Sequence, residues 1–472
     1  MGSDRHPALR RKRLRLIQRR KALGYTQEEL AGQLGCERTT IIRWERAETE
    51  PQPWLRPRIA QLLHLTAGEL GDLLADVPGQ RDGFTLVSSV PLGFSLSAAH
   101  TVRVAEGFSA HDIASRREAL AGLAVMTGVA LVQPVRQRAA SLTLPAGSPP
   151  GTGADEVSEL EQAVTLFRRW DASGAGGLRR KAVVGQLNAI AESLGESHPP
   201  QITRRLFQVT AELAQLAGWM AYDQGLFGIA QRYYLLALHM CREGMSPGLG
   251  AKVIGDMTQL STALGNYEDS LTLVHTALYS LPRQASALVR CELLGLESRA
   301  YAQLGEREAA HAARSAETCV AVYDEAPAEP APDWIHYMNQ AEADCLAANA
   351  YIELALHTTE RSRWQGYAAR AEVHSLRARQ ARGEGYVRSR VLDEIRLAKV
   401  RLGQREPAES AAVAINALQL AAETRSSLLV DWFLHFDHAL TVRHRDVADV
   451  DDFHEQLREY LRKAAPARVG DL

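Results

Sequence analysis

Arg5, Arg10, Arg11, Lys12, Arg13, Arg15, Arg19, Arg20 and Lys21 crowd the start of the chain, with only Asp4 set against them. Cationic groups at this density attract a polyanion. The formal net charge over 472 residues is -2, so the chain as a whole is not basic and any such contact would be local. Arginine outnumbers lysine throughout, which makes the position of this patch more telling than its residue type. A second group of chemically capable side chains follows in the stretch Thr26-Gln27-Glu28-Glu29-Leu30-Ala31-Gly32-Gln33-Leu34-Gly35-Cys36-Glu37-Arg38-Thr39-Thr40-Ile41-Ile42-Arg43-Trp44-Glu45. Thr26 with Glu29 three residues later reads as a capping box that opens a helix. Gly35 supplies a left-handed turn and Ala31 a close crossing. Leu30, Leu34, Ile41 and Trp44 fill the space between two short helices.

Other constellations carry less. His435, Asp437 and His438, with Asp431 and His444, point around several faces of one helix, whereas a metal needs convergent ligands. Gly174-Ala175-Gly176-Gly177 lacks both the preceding strand and the Gly-Lys-Ser/Thr ending of a phosphate loop, so it reads as a linker. No nucleophile–base pattern, paired carboxylates or H-E-x-x-H run is present. The expectation is a protein that is not an enzyme and needs neither metal nor cofactor.

The elements that must position these residues are helices. From Asp155 onward every long segment shows apolar residues at helical spacing, and no alternating strand pattern occurs. The expected fold is therefore all-α. Residues 1–75 would form an N-terminal domain of five short helices. Residues 76–154 would be a linker carrying one apolar helix, and 155–472 a helical-repeat domain. The linker includes Arg116-Arg117 followed by an apolar run to Val132, too short for the roughly 20 residues that span a bilayer. Membrane association is not expected. The five cysteines form no CxxC pair, and no apolar leader follows the basic start, which together predict a cytoplasmic setting.

The second half repeats itself. Gly225, Gly265 and Gly305 lie 40 residues apart, and each is followed five positions later by a small residue: Ala230, Ser270 and Ala310. This is the tetratricopeptide (TPR) pattern, with spacing longer than its usual length of about 34. A fourth copy is expected around Gly403 and Ala408. A further helix pair is expected from Trp334 to about Gln380, and a closing helix over Val450–Ala464. Stacked pairs of this kind build an α-solenoid. Groove-facing positions of its first helices would include Trp219, Tyr222, Gln259, Thr262, Arg299 and Gln303, a mixed lining suited to a peptide or small-molecule effector.

The 26–45 stretch resembles the XRE-type helix-turn-helix family, departing from its pattern at Cys36-Glu37 and Arg46-Ala47. The resemblance implies binding to double-stranded DNA. On that basis Thr26 belongs to the contacting surface, and Gln27 and Thr40 would meet phosphate. Arg38, Thr39 and Arg43 would face the major groove, where arginine pairs bidentately with guanine. Arg46 and the Arg10–Arg20 helix would clamp the backbone. Gly218 to Gly225, Ala230 to Tyr234, Asp333 to Tyr337 and Arg388 to Arg390 are similar to the actinobacterial regulators that join such a domain to TPR repeats. That layout implies a homodimeric transcriptional regulator; the rival expectation is a TPR scaffold recruiting a protein partner, with DNA binding auxiliary.

Overall fold

The computed structural model describes residues 13, 16, 17, 19, 20, 25–45, 49–63, 65, 70, 73, 74, 102, 105, 112, 125–128, 131, 132, 135, 136, 154–172, 178–194, 196, 198–282, 285–326, 331–383, 386–422, 424, 426–444 and 446–464. Among them every regular element is helical and no strand occurs, as the periodicity predicts. The chain divides into two compact units, Met1–Pro91 with Ala263–Asn266 and Leu92–Thr262 with Tyr267–Leu472.

In the first unit, α1 (Gln27–Leu34) and α2 (Arg38–Glu45) are joined by a tight turn, and a 3-10 turn (Pro53–Leu55) leads into α3 (Arg56–Leu62). The expected capping box is present. The Glu29 amide donates to Thr26 Oγ1 at 3.1 Å, and the Thr26 amide donates to Glu29 Oε2 at 2.7 Å. Gly35 ends α1 at φ 67°, where a Cβ costs about 1–2 kcal/mol. Leu30, Ala31, Leu34, Ile41 and Trp44 are buried together with Leu16, Ile59, Leu63 and Leu70. Burial at about 1.5–3 kcal/mol per large side chain is what holds this small unit together.

The second unit stacks helix pairs. They are α4 (Ala154–Ala172) and α5 (Leu178–Leu194), α6 (Pro200–Asp223) and α7 (Phe227–Glu243), α8 (Pro247–Ala263) and α9 (Tyr267–Ser280), then α10 (Ala287–Gln303) and α11 (Ala309–Asp324). The series continues with α12 (Gln340–His357) and α13 (Arg361–Ala381), α14 (Val387–Gly403) and α15 (Pro407–Leu420), and α16 (Ser427–His444) and α17 (Ala448–Ala464). The first helices α10, α12, α14 and α16 pack in succession, and α6 also touches α16, so the stack curls back on itself.

The turn glycines behave as the repeat requires: Gly225, Gly265 and Gly305 have φ of 72°, 80° and 94°. Two details depart from expectation. In the fourth copy the left-handed residue is Arg405 at φ 68°, while Gly403 is the last residue of α14. The register there is shifted by two, and buried Ser410, not Ala408, takes the close-packing position, its hydroxyl donating to the Ala398 carbonyl at 2.6 Å. In the third copy a 3-10 turn, Glu306–Glu308, precedes α11, so Ala310 is exposed and Ala309 and Ala312 pack instead.

Parts of the expected linker are tied to this unit. Asp112 is buried between Arg180 and the Tyr233 hydroxyl. The Met126 amide donates to Gln231 Oε1 at 2.6 Å, and Gln231 Nε2 returns a bond to the Met126 carbonyl at 2.8 Å. Arg116 and Arg117 lie outside the described residues. Among those described, no helix is long and apolar enough to cross a membrane.

Candidate DNA interface and ligand cavity

Two surfaces carry the expected chemistry, one in each unit. On α2, Ile41 and Trp44 turn inward while Arg38, Thr39 and Arg43 are exposed and Thr40 is half-buried. Among the described residues Arg38 and Arg43 have no hydrogen bond or ion pair, so both guanidiniums are available to an incoming acceptor. Thr39 is partly engaged, its hydroxyl donating to Glu37 Oε2 at 3.0 Å. Thr26 is exposed, its side chain held in the capping box. Arg46 lies outside the described residues.

Beneath α2 a polar network fixes its placement. Glu45 is buried, paired with the equally buried Arg20 at 2.6 Å, and accepts from Gln27 Nε2 at 2.6 Å. The Gln27 side-chain amide is therefore committed to Glu45. Arg13 is buried too, donating to the carbonyls of Trp44 and Thr49 at 2.9 Å each. Arg19 Nε donates to the Leu63 carbonyl at 2.8 Å. The expectation that this N-terminal stretch clamps a DNA backbone fails for Arg13 and Arg20. Arg13 satisfies the carbonyls of Trp44, Thr49 and Leu74, and Arg20 satisfies the buried Glu45 carboxylate, groups that would be costly to leave unpaired.

In the second unit the curled stack encloses a cavity of about 240 Å³. Successive first helices present residues at i, i+3 or i+4, and i+7, the spacing of one helical face. Gln215, Trp219 and Tyr222 come from α6, Lys252, Asp256 and Gln259 from α8, and Glu292, Leu296 and Arg299 from α10. Asn349, Arg396 and Trp432 extend the lining across α12, α14 and α16. Of the expected groove residues, Trp219, Tyr222, Gln259 and Arg299 are brought together here. Thr262 and Gln303 are not. They lie a turn further along their helices, where the face has rotated away, and Thr262 is buried with its hydroxyl donating to Ser270 Oγ of α9 at 3.0 Å.

The cavity is electrically divided. At one end Lys252 is held between Asp256 and Glu292; burial opposes its charge, but the two carboxylates outweigh that and keep it above its ordinary value. Gln215 Nε2 donates to Asp256 at 2.7 Å and the Tyr337 hydroxyl to Glu292 Oε1 at 2.6 Å. Burial raises both the Glu292 carboxyl and the Tyr337 hydroxyl. Arg388 bridges Asp171 and Asp223 at 3.4 Å each, and Trp219 Nε1 donates to Asp171 at 3.1 Å.

At the other end Arg299, Arg396 and Lys399 surround the ring of Trp432 at 5.6, 5.7 and 4.7 Å from its centroid. Burial, with Arg299 and Arg396 alongside, draws the Lys399 ammonium down to about 8 in spite of Glu353. His435 beside it is held far below its ordinary value by burial and by Lys399. That histidine belonged to the weak metal constellation; its near neighbour Asp437 instead pairs with His454 at 2.8 Å.

Sequence reasoning missed Asp256 and Leu296, the middle positions of their helical faces, which the i+4 step would have found. It also missed Trp432 and Arg396, which reach the cavity only because the stack curls. The Asp333–Tyr337 and Arg388–Ser389 segments, singled out by resemblance alone, line the same space.

The first unit is thus a DNA-binding module of the helix-turn-helix class. Residues 16–69 match the family described as Helix-turn-helix, a match that points to a DNA-binding regulator rather than an enzyme and covers only the N-terminal part of the chain. No curated protein matches the chain.

Proposed function

We propose that the chain is a dimeric, sequence-specific transcriptional regulator in which residues 1–75 read DNA, 155–472 form a TPR-like unit that dimerises and senses an effector, and 76–154 connect them. The observation that carries the reading is the outward pair Arg38 and Arg43 on a helix anchored from beneath by Glu45, Arg20 and Gln27. Rigid presentation of uncommitted guanidiniums is what bidentate guanine recognition needs. A helix this short reads few base pairs, which favours two half-sites and a two-fold dimer. The cavity supports the sensing role, since it gathers polar and aromatic side chains from helices far apart in sequence. A ligand that prefers one curvature of the stack would change how two DNA-reading units are spaced, and a ligand indifferent to curvature would change nothing.

The test is DNA binding by the full chain as a function of salt, using genomic fragments recovered with the protein and scrambled controls. A preference for the recovered fragments that survives physiological salt supports the reading. Binding that falls equally on both sequences as salt rises would reduce the first unit to a generic cationic patch.

A further inference from the structure

Arg299 stands out in the cavity wall. Among the described residues it has no hydrogen bond and no ion pair, and its Nε is buried without a partner. Its neighbours are cations: Arg396 and Lys399 share the Trp432 ring with it. Among the described residues no carboxylate forms an ion pair with Arg299, although Glu353 and Asp431 lie in its neighbourhood. Asp393 holds Arg396 at 2.7 Å and Arg382 at 2.9 Å, and Glu353 faces Lys399 and Tyr267. Of the acidic residues lining the cavity, Asp256 and Glu292 sit at its other end around Lys252, Asp171 pairs with Arg388, Glu342 with Arg382, and Asp333 accepts from the Thr165 hydroxyl. Glu292 and Arg299 lie seven residues apart on α10, about 10 Å along the helix. Arg299 is therefore a cation without an ion-pair partner among the described residues, beside the aromatic face of Trp432 and the amides of Gln259 and Asn349. A buried guanidinium nitrogen without a partner is costly, and an anionic acceptor would remove that cost.

We infer that the cavity binds a small organic anion with an apolar or aromatic body, its anionic group paired with Arg299 and its body against Trp432. The inference rests on the effector-site reading of the cavity and deepens it by naming the ligand's chemistry. Arg396 is mainly a positioning residue here, because Asp393 and Asn349 already occupy it. Arg299 supplies the free donors.

The test uses the full chain without DNA, so it stands apart from the outcome of the operator assay. The probe is the aromatic sulfonate 8-anilinonaphthalene-1-sulfonate, followed by its fluorescence and displaced by 4-phenylbutyrate, by its neutral amide or by inorganic phosphate. The expected result is one saturable site from which the carboxylate displaces the probe at least about tenfold better than the amide. Arg299→Gln should weaken the carboxylate about tenfold and leave the amide unchanged, while Arg299→Lys, retaining charge, should fall between. Displacement by phosphate as strong as by phenylbutyrate would support an anion site while excluding the apolar body. Equal displacement by carboxylate and amide, an Arg299→Gln protein that matches the wild type, or absence of saturable binding would each overturn the inference. A chain that binds operator DNA but fails here refutes the anion site alone.

Discussion

Arg43 and Asp431 show how differently a charged side chain is used when it is exposed and when it is enclosed. Arg43 projects from α2 two residues after buried Ile41, with nothing around it to satisfy. Arg43→Ala should leave the melting temperature unchanged and weaken operator binding by about 1–3 kcal/mol, relaxing sequence preference. Gel-shift titration against operator and scrambled DNA measures this, and equal losses on both would reassign Arg43 to phosphate. Asp431 on α16 is the opposite case. Burial, reinforced by Asp223, pushes its carboxyl up to about 7 from an ordinary 3.8. The folded chain then holds a proton that the unfolded chain releases between those values. The stability associated with that proton is present below about 4 and is lost as pH rises to about 7, by at most about 4 kcal/mol. Among the described residues Asp431 has no hydrogen bond or ion pair, so Asp431→Asn strands no partner. Denaturant midpoints compared at pH 4 and pH 8 should show the variant more stable than the parent at pH 8 and little changed at pH 4.

At the scale of the element, the governing device is the turn inside each helix pair. Its left-handed residue reverses the chain within three positions, which lets the second helix pack along the first. A Cβ added at Gly225 would meet no atom within 4 Å, so the only obstacle to a side chain there is its φ of 72°. Gly225→Ala should therefore cost about 1–2 kcal/mol through backbone strain alone. Circular dichroism melts would show a lowered midpoint with undiminished helicity. A loss of helix content would instead mean that the turn nucleates the pair. Arg405 adopts the same conformation with a side chain present, which shows that the fold tolerates this cost where neighbouring contacts compensate.

For the whole molecule, the curl of the second unit decides which side chains face the cavity. Because α6 meets α16, residues from seven first helices face one space, and Arg388 can join Asp171 to Asp223 across it. The same unit offers a large outer surface, and dimerisation is expected to lie there. The full chain should sediment as a dimer at micromolar concentration, and so should residues 76–472. A monomer in both cases would count against assembly through the helical unit.

The sequence by itself determined the local chemistry: the capping box at Thr26, the buried set from Leu30 to Trp44, the helical period from Asp155 onward and the turn glycines. These depend on contacts within a few residues, where spacing and side-chain type leave little freedom. Tertiary structure decided which charges are spent and which are free. Arg13 and Arg20 look like the other basic residues around them in sequence, yet they are drawn inward by Glu45 and by carbonyls up to 61 residues away. Cys291 and Cys319 likewise bring their sulfurs to 3.4 Å across α10 and α11 with no signal in their spacing. The cavity is the clearest case. Trp219 and Arg299 were legible as groove positions, but their partners Arg396 and Trp432 became neighbours only through accumulated rotation between stacked helix pairs. That rotation is a sum of small packing angles, and no residue pattern short of the whole fold encodes it.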